Sequence, residues 1–129
     1  MKRVLKWIGI GVLSVIALFL ISLPVLNRGM GEIKALTINQ VDLFSLSDGI
    51  YTGSYCKGRW CYTVEVEINT HQITDIRLVD DKMSSMKKVN DSLIKRILEK
   101  QQVAVDTYTG ATVTSKALLK AVENALTVE

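Results

Sequence analysis

Residues 106–115 read Asp-Thr-Tyr-Thr-Gly-Ala-Thr-Val-Thr-Ser. They combine hydroxyl side chains, a small-residue turn and the start of an amphipathic helix. Backbone N–H groups at a helix start point outward without intrahelical partners, and the helix dipole adds partial positive charge there. Such a place suits a phosphate. Gly110 lets a bulky anion approach the backbone and tolerates angles that other residues resist, and Ala111 keeps the approach clear. Thr112 offers a hydroxyl at the helix start. Thr109 is placed to bond the loop backbone or a phosphate, and Thr114 or Ser115 to cap the helix. The same residues also read more simply, as a glycine turn, a Thr or Ser N-cap, and a turn aspartate at Asp106.

These residues need a scaffold, and the hydrophobic pattern supplies one. Residues 62–69 alternate: Tyr62, Val64, Val66 and Ile68 share one face, while Thr63, Glu65, Glu67 and Asn69 share the other. That is a half-buried antiparallel strand. Residues 69–72 make a tight connection, 73–79 return as its partner, and 51–55 form a shorter strand after the Asp48-Gly49 turn. Val89, Leu93, Ile94, Ile97 and Leu98 recur at helical spacing, so 86–100 is an amphipathic helix. Ala117, Leu118, Ala121, Val122, Ala125 and Leu126 give a second one, whose alanines suit close packing on the sheet. A small antiparallel sheet with two helices on one side is an α+β architecture.

Upstream, residues 7–26 carry no charged side chain, and Pro24 is their one helix breaker. Twenty such residues match a membrane-spanning helix. Lys2, Arg3 and Lys6 precede them, which holds the N-terminus in the cytoplasm and sends the remainder outside the cell membrane as a single-pass protein. A cleaved signal peptide is the competing reading, but the apolar run is long for one and no Ala-x-Ala site follows. The expected organisation is an anchor over 1–27, a connecting segment over 28–47 and a domain over 48–129. Residues 27–31 read as a flexible exit. The apolar residues of 32–46 imply a short helix or extended stretch packed on the domain.

Three of the 16 Lys plus Arg lie before the apolar run, and the other 13 equal the 13 Asp plus Glu. The basic balance therefore reports topology and not a nucleic-acid surface. Neither a hydrolytic triad nor a nucleotide-binding glycine loop is present in the sequence.

The segment Asp106-Thr107-Tyr108-Thr109-Gly110-Ala111-Thr112 resembles the flavinylation motif of the FMN-binding domain family, and Thr114-Ser115 fits its continuation. The opening Asp48-Gly49-Ile50-Tyr51-Thr52-Gly53-Ser54 and the hairpin around Ile68 to Ile76 resemble the same family, so the likeness covers roughly residues 48–127. The resemblance implies FMN as cofactor, esterified through its phosphate to the hydroxyl of Thr112. It implies a flavin transferase that uses FAD and a divalent metal. It also implies redox partners, either proteins or a quinone, as for the flavin-bearing subunits of sodium-pumping NADH–quinone and ferredoxin–NAD oxidoreductase complexes. Asp106 then serves either transferase recognition or loop order. Tyr55, Trp60 and Tyr62 are candidates to stack on the flavin ring or to be core. The chain departs from the family at residues 56–61, where glycines are usual, and at 80–85, where a Pro-Gly loop is usual.

Cys56 and Cys61 flank a Lys-Gly-Arg-Trp turn. Outside the cytoplasm they suit a small cross-hairpin disulfide; unpaired thiols and a redox-active pair are the other readings. With one distant histidine, His71, in a turn, they do not make a metal site. Two functions follow: an anchored electron-transfer flavoprotein, or a tethered non-redox module that binds a ligand or partner.

Overall fold

The computed structural model describes residues 1–82 and 84–127. Helix α1 (Lys2–Leu26) is 25 residues long and none of them is buried. At 1.5 Å per residue it measures about 37 Å. It is long and apolar enough to cross a membrane. None of its residues is buried against the rest of the described chain. Pro24 lies within its last turn.

After α1 come a short helix α2 (Met30–Ala35), an extended stretch and a 3-10 turn at Leu43–Ser45. The sheet follows as strands β1 (Gly49–Lys57), β2 (Trp60–Asn69) and β3 (Gln72–Asp81), paired antiparallel in the order β1-β2-β3. A 3-10 turn at Ser84–Met86 leads to α3 (Lys87–Lys100), and a loop leads to α4 (Thr112–Leu126). The architecture is α+β, as the alternation and the helical periodicity predict. The strands run up to two residues further at their ends than the pattern alone marks. Met83 lies outside the described residues.

Both hairpins close with two-residue loops, for different reasons. The β1–β2 loop places Gly58 at φ +58°, the position a tight hairpin reserves for glycine. The β2–β3 loop puts two non-glycine residues, Thr70 (φ +52°) and His71 (φ +59°), in left-handed backbone. Neighbours hold it there. Asp48 Oδ1 accepts the Thr70 N–H at 2.7 Å, and the His71 ring meets the Leu46 carbonyl at 3.2 Å and the Phe44 ring. His71 is exposed, as expected of a turn residue.

The core lies between the sheet and α4. Tyr62, Val64, Val66 and Ile68 are all buried on one face of β2, against Ala117, Leu118, Ala121, Val122 and Ala125 of the helix. Gly53 makes the fit possible. A Cβ there would lie 2.6 Å from the Ala121 carbonyl oxygen and would strike the backbone of Ala125. The helix therefore rides on β1 at backbone distance.

The segment before the sheet is both a short helix and extended chain, and it covers the other side of α4. Ile33 is fully buried. Lys116 Nζ donates to the carbonyls of Lys34 (2.6 Å) and Leu36 (2.7 Å), and the Asn39 side chain and backbone donate to the buried Glu123 carboxylate. Gln40 Oε1 accepts the N–H groups of Val103 and Ala104, both at 3.0 Å. The result is three layers: sheet, α4, and the strap of residues 30–46. Of residues 27–31, which read as a flexible exit, Gly29 and Met30 are half-buried and the other three are exposed. Gly29 (φ +87°) lies against the Lys57 side chain, and Glu32 pairs with Lys57.

Candidate functional site

The loop that precedes α4 is pinned from three sides. Val103 and Val105 are buried anchors. Gln101, at the end of α3, clips to β3 by accepting the Ile73 N–H at 2.7 Å and donating to the Ile73 carbonyl at 2.9 Å. From one α3 position, Arg96 Nη1 donates to the carbonyls of Asp106 (2.9 Å) and Thr107 (3.3 Å), and its guanidinium stands 6.0 Å from the Tyr108 ring centre. Arg96 thus holds the segment by its backbone and leaves the Asp106 side chain outside. That carboxylate is 92% exposed, with Lys100 Nζ 3.9 Å away.

The next four residues form a tight turn, closed by the Ala111 N–H donating to the Tyr108 carbonyl at 3.0 Å. Gly110 occupies its third position with φ +81°, the angle a type II turn demands and glycine supplies. A Cβ on Gly110 would touch nothing within 4 Å. The requirement is therefore backbone conformation, and the space beside the turn is open.

Helix α4 starts one turn earlier than a cap at Thr114 or Ser115 would put it. Ala111 is the N-cap residue, no side chain caps the helix, and Thr112 is its first helical residue. Ser115 is fully buried and closes the turn instead. Its Oγ donates to the Ala111 carbonyl at 2.7 Å and accepts the Tyr108 N–H at 3.0 Å. A short hydroxyl can do this because it sits one helical turn above the acceptor. Thr114 is buried as well, whereas Thr109 and Thr112 are exposed. The first N–H groups of α4 have no intrahelical acceptor.

These N–H groups border an open cleft of about 550 Å³, lined by Gly110 to Thr114, Arg59, Trp60, Met30, Lys34, Ser85 and Met86. Its walls come from α2, the β1–β2 turn, the 3-10 turn and the start of α4. Thr112 stands on the rim and Trp60 is buried against the wall. Lys34 and Arg59 are exposed, and the Arg59 guanidinium lies 4.7 Å from the Trp60 ring centre. An anion entering the cleft meets two cations and a helix N-terminus. An aromatic ring meets Trp60 and two methionines.

Of the three aromatic candidates, Trp60 is brought to the cleft. Tyr62 is core, 1% exposed, and donates to Asn90 Oδ1 at 2.9 Å. Tyr55 is half-buried on β1 and does not line the cleft. Cys56 and Cys61 face each other across the β1–β2 hairpin, with Cα atoms 4.0 Å apart, and are joined by a disulfide. Strand alternation sends Cys61 to the sheet face opposite Trp60 and Tyr62. The disulfide fastens the hairpin from behind the cleft and does not enter it. Sequence reasoning missed Lys34, Arg59 and Arg96. The spacing Arg59-Trp60 beside a hairpin glycine was a visible signal for one of them. Lys34 and Arg96 reach the site only through the fold.

The sequence pattern of the FMN-binding domain family matches residues 61–127. That is just over half of the 129 residues, and the chain belongs to this family. The match begins inside the second strand. β1 lies outside it yet pairs with β2 along its whole length and packs on α4. Comparison with curated proteins finds none that matches the chain. FMN is the cofactor the family binds, and the cleft fits it on its own terms: anion donors and cations at one side, apolar and aromatic wall at the other, and a volume in the range of small-molecule sites.

Proposed function

We propose that the chain is a membrane-anchored flavoprotein that carries FMN on Thr112 for electron transfer at the extracytoplasmic face. One observation carries this reading: within a family that binds FMN, the motif threonine is an exposed hydroxyl on the rim of a cleft bordered by Lys34, Arg59 and Trp60. A phosphoester at Thr112 would lie beside the first N–H groups of α4, with Lys34 and Arg59 in reach to offset its charge. The bound flavin supplies the redox chemistry, and the protein supplies position and electrostatics. Gly110 sets the turn, Ser115 and Arg96 hold it, and the exposed Asp106 carboxylate is available to a flavin transferase. The positive residues before the apolar run, Lys2, Arg3 and Lys6, favour an N-terminus in the cytoplasm, which would put the domain outside. A tether that cannot dissociate suits a cofactor used in an open compartment.

Co-expression with a flavin transferase tests this. The wild-type chain should give a flavin-fluorescent band that survives a denaturing gel, and Thr112→Val should stay dark while folding normally. Flavin that is released on denaturation would mean non-covalent binding. A folded chain that holds no flavin in either form would favour a tethered binding module.

A further inference from the structure

The β1–β2 turn is seated on the exit of α1. A Cβ built on Gly58 would lie 2.7 Å from the Arg28 carbonyl oxygen and 4.0 Å from Trp60 Cε3, and one built on Gly29 would lie 2.7 Å from Lys57 Cγ. Two close approaches through left-handed glycines, together with the Lys57–Glu32 ion pair, fix the turn on the residues that follow the apolar helix. Residues 7–27 carry no charge. As a helix they span about 30 Å, the thickness of a bilayer's hydrocarbon core. Arg28 therefore falls at the outer edge of that core, and the turn it supports falls there too.

The chemistry of this edge matches the place. Residues 28–34 and 57–59 carry four cations, Arg28, Lys34, Lys57 and Arg59, and one anion, Glu32, which pairs with Lys57. A notch lined by Arg28, Gly29, Glu32, Lys57 and Gly58 opens among them. The other end of the sheet differs. Its Thr70-His71 turn, roughly 30 Å along β2, is braced by an aspartate.

We propose that the Lys57-Gly58-Arg59 turn is a foot that stands on lipid headgroups, with Arg28, Lys57 and Arg59 contacting phosphates of the outer leaflet. The inference rests on reading α1 as a membrane-spanning anchor. Long cationic side chains can reach headgroups while their stems stay against apolar surface, and anionic lipid strengthens the contact. The foot fixes the orientation of the Thr112 cleft, two of whose walls, Met30 and Arg59, belong to the same corner. A redox partner must then approach the cleft at the membrane surface.

The chain has two tryptophans, which makes the test direct. Full-length protein without flavin is placed in liposomes of phosphatidylcholine and phosphatidylglycerol that contain a lipid with a headgroup nitroxide. Trp7→Phe leaves Trp60 as the sole reporter, Trp60→Phe leaves Trp7, and Trp7→Phe/Trp60→Phe/Thr70→Trp reports the distal turn. The foot predicts that Trp60 loses most of its emission to the nitroxide and that the distal reporter loses little. In phosphatidylglycerol liposomes, Arg28→Gln/Lys57→Gln/Arg59→Gln, or Arg59→Gln alone, should weaken the quenching of Trp60. Equal, weak quenching of Trp60 and the distal reporter, with Trp7 strongly quenched, would overturn the foot and leave the anchor standing. An unquenched Trp7 would overturn the anchor, and the foot with it. Quenching of Trp60 unchanged in the glutamine variants would overturn the phosphate contact.

Discussion

The two ends of α4 are built to opposite specifications, and a glycine sits opposite each for an opposite reason. At the N-terminal end, Gly110 is required by its backbone angle and faces open space. Thr112 is exposed there, and the helix has no side-chain cap. At the other end, Gly53 is required by space, because the backbone of Ala121 and Ala125 fills the position of its missing Cβ. One end of the helix is left open, and the other is sealed against the sheet. The difference implies that substitutions at the two ends separate function from folding.

The largest effect is expected at Thr112. Thr112→Val should abolish covalent flavin and change stability by less than about 0.5 kcal/mol, as for other exposed sites. Mass spectrometry and chemical denaturation in detergent read the two quantities. At the sealed end, Gly53→Val should destabilise the domain by about 3 kcal/mol or more, the upper range for overpacking. Any flavin it lacks should follow from unfolding, which circular dichroism detects. Ser115→Ala leaves the Tyr108 N–H without its side-chain acceptor and should cost about 2 kcal/mol. It should also slow flavin attachment by loosening the turn. Gly110→Ala forces alanine to a positive φ and should cost about 1 kcal/mol, with no clash to add to it. Equal stability losses in Gly110→Ala and Gly53→Val would break the comparison.

The smallest effect is at the exit of α1. The hydrogen bond from the Lys57 ammonium to the Glu32 carboxylate, and then their mutual attraction, hold the Lys57 pKa above its ordinary value. A raised pKa means that the contribution is fully present below the unfolded lysine pKa and is lost as pH rises through the folded one. Thermal melts should therefore show wild type and Glu32→Gln converging only at strongly alkaline pH, and by a small margin because the pair is exposed.

How much of this was legible in the sequence follows from how local each feature is. The strands and helices were readable because apolar periodicity is a local property. So was the motif, whose Gly110 and Thr112 act within their own turn. The strap of residues 30–46 was visible as apolar content but not as a layer, because its bonds through Lys116, Gln40 and Glu123 join positions far apart in the chain. The helix start was placed too late. The Thr114 and Ser115 hydroxyls resemble caps, yet Ser115 bonds backward into the turn and leaves Thr112 as the first helical residue. Lys34 and Arg96 carry no local signal and reach the site by tertiary packing alone. Asn90 is similar: a polar residue on the helix, it is fully buried under Tyr62, with its Nδ2 lacking a partner among the described residues.

The central claim is that the hydroxyl on the rim of this cleft carries the cofactor. Intact mass followed by peptide mapping, on protein purified from its native membrane, tests it most directly. The account predicts an added mass equal to FMN less water, located on the peptide that contains Thr112. An unmodified mass, or an adduct on any other residue, would contradict it.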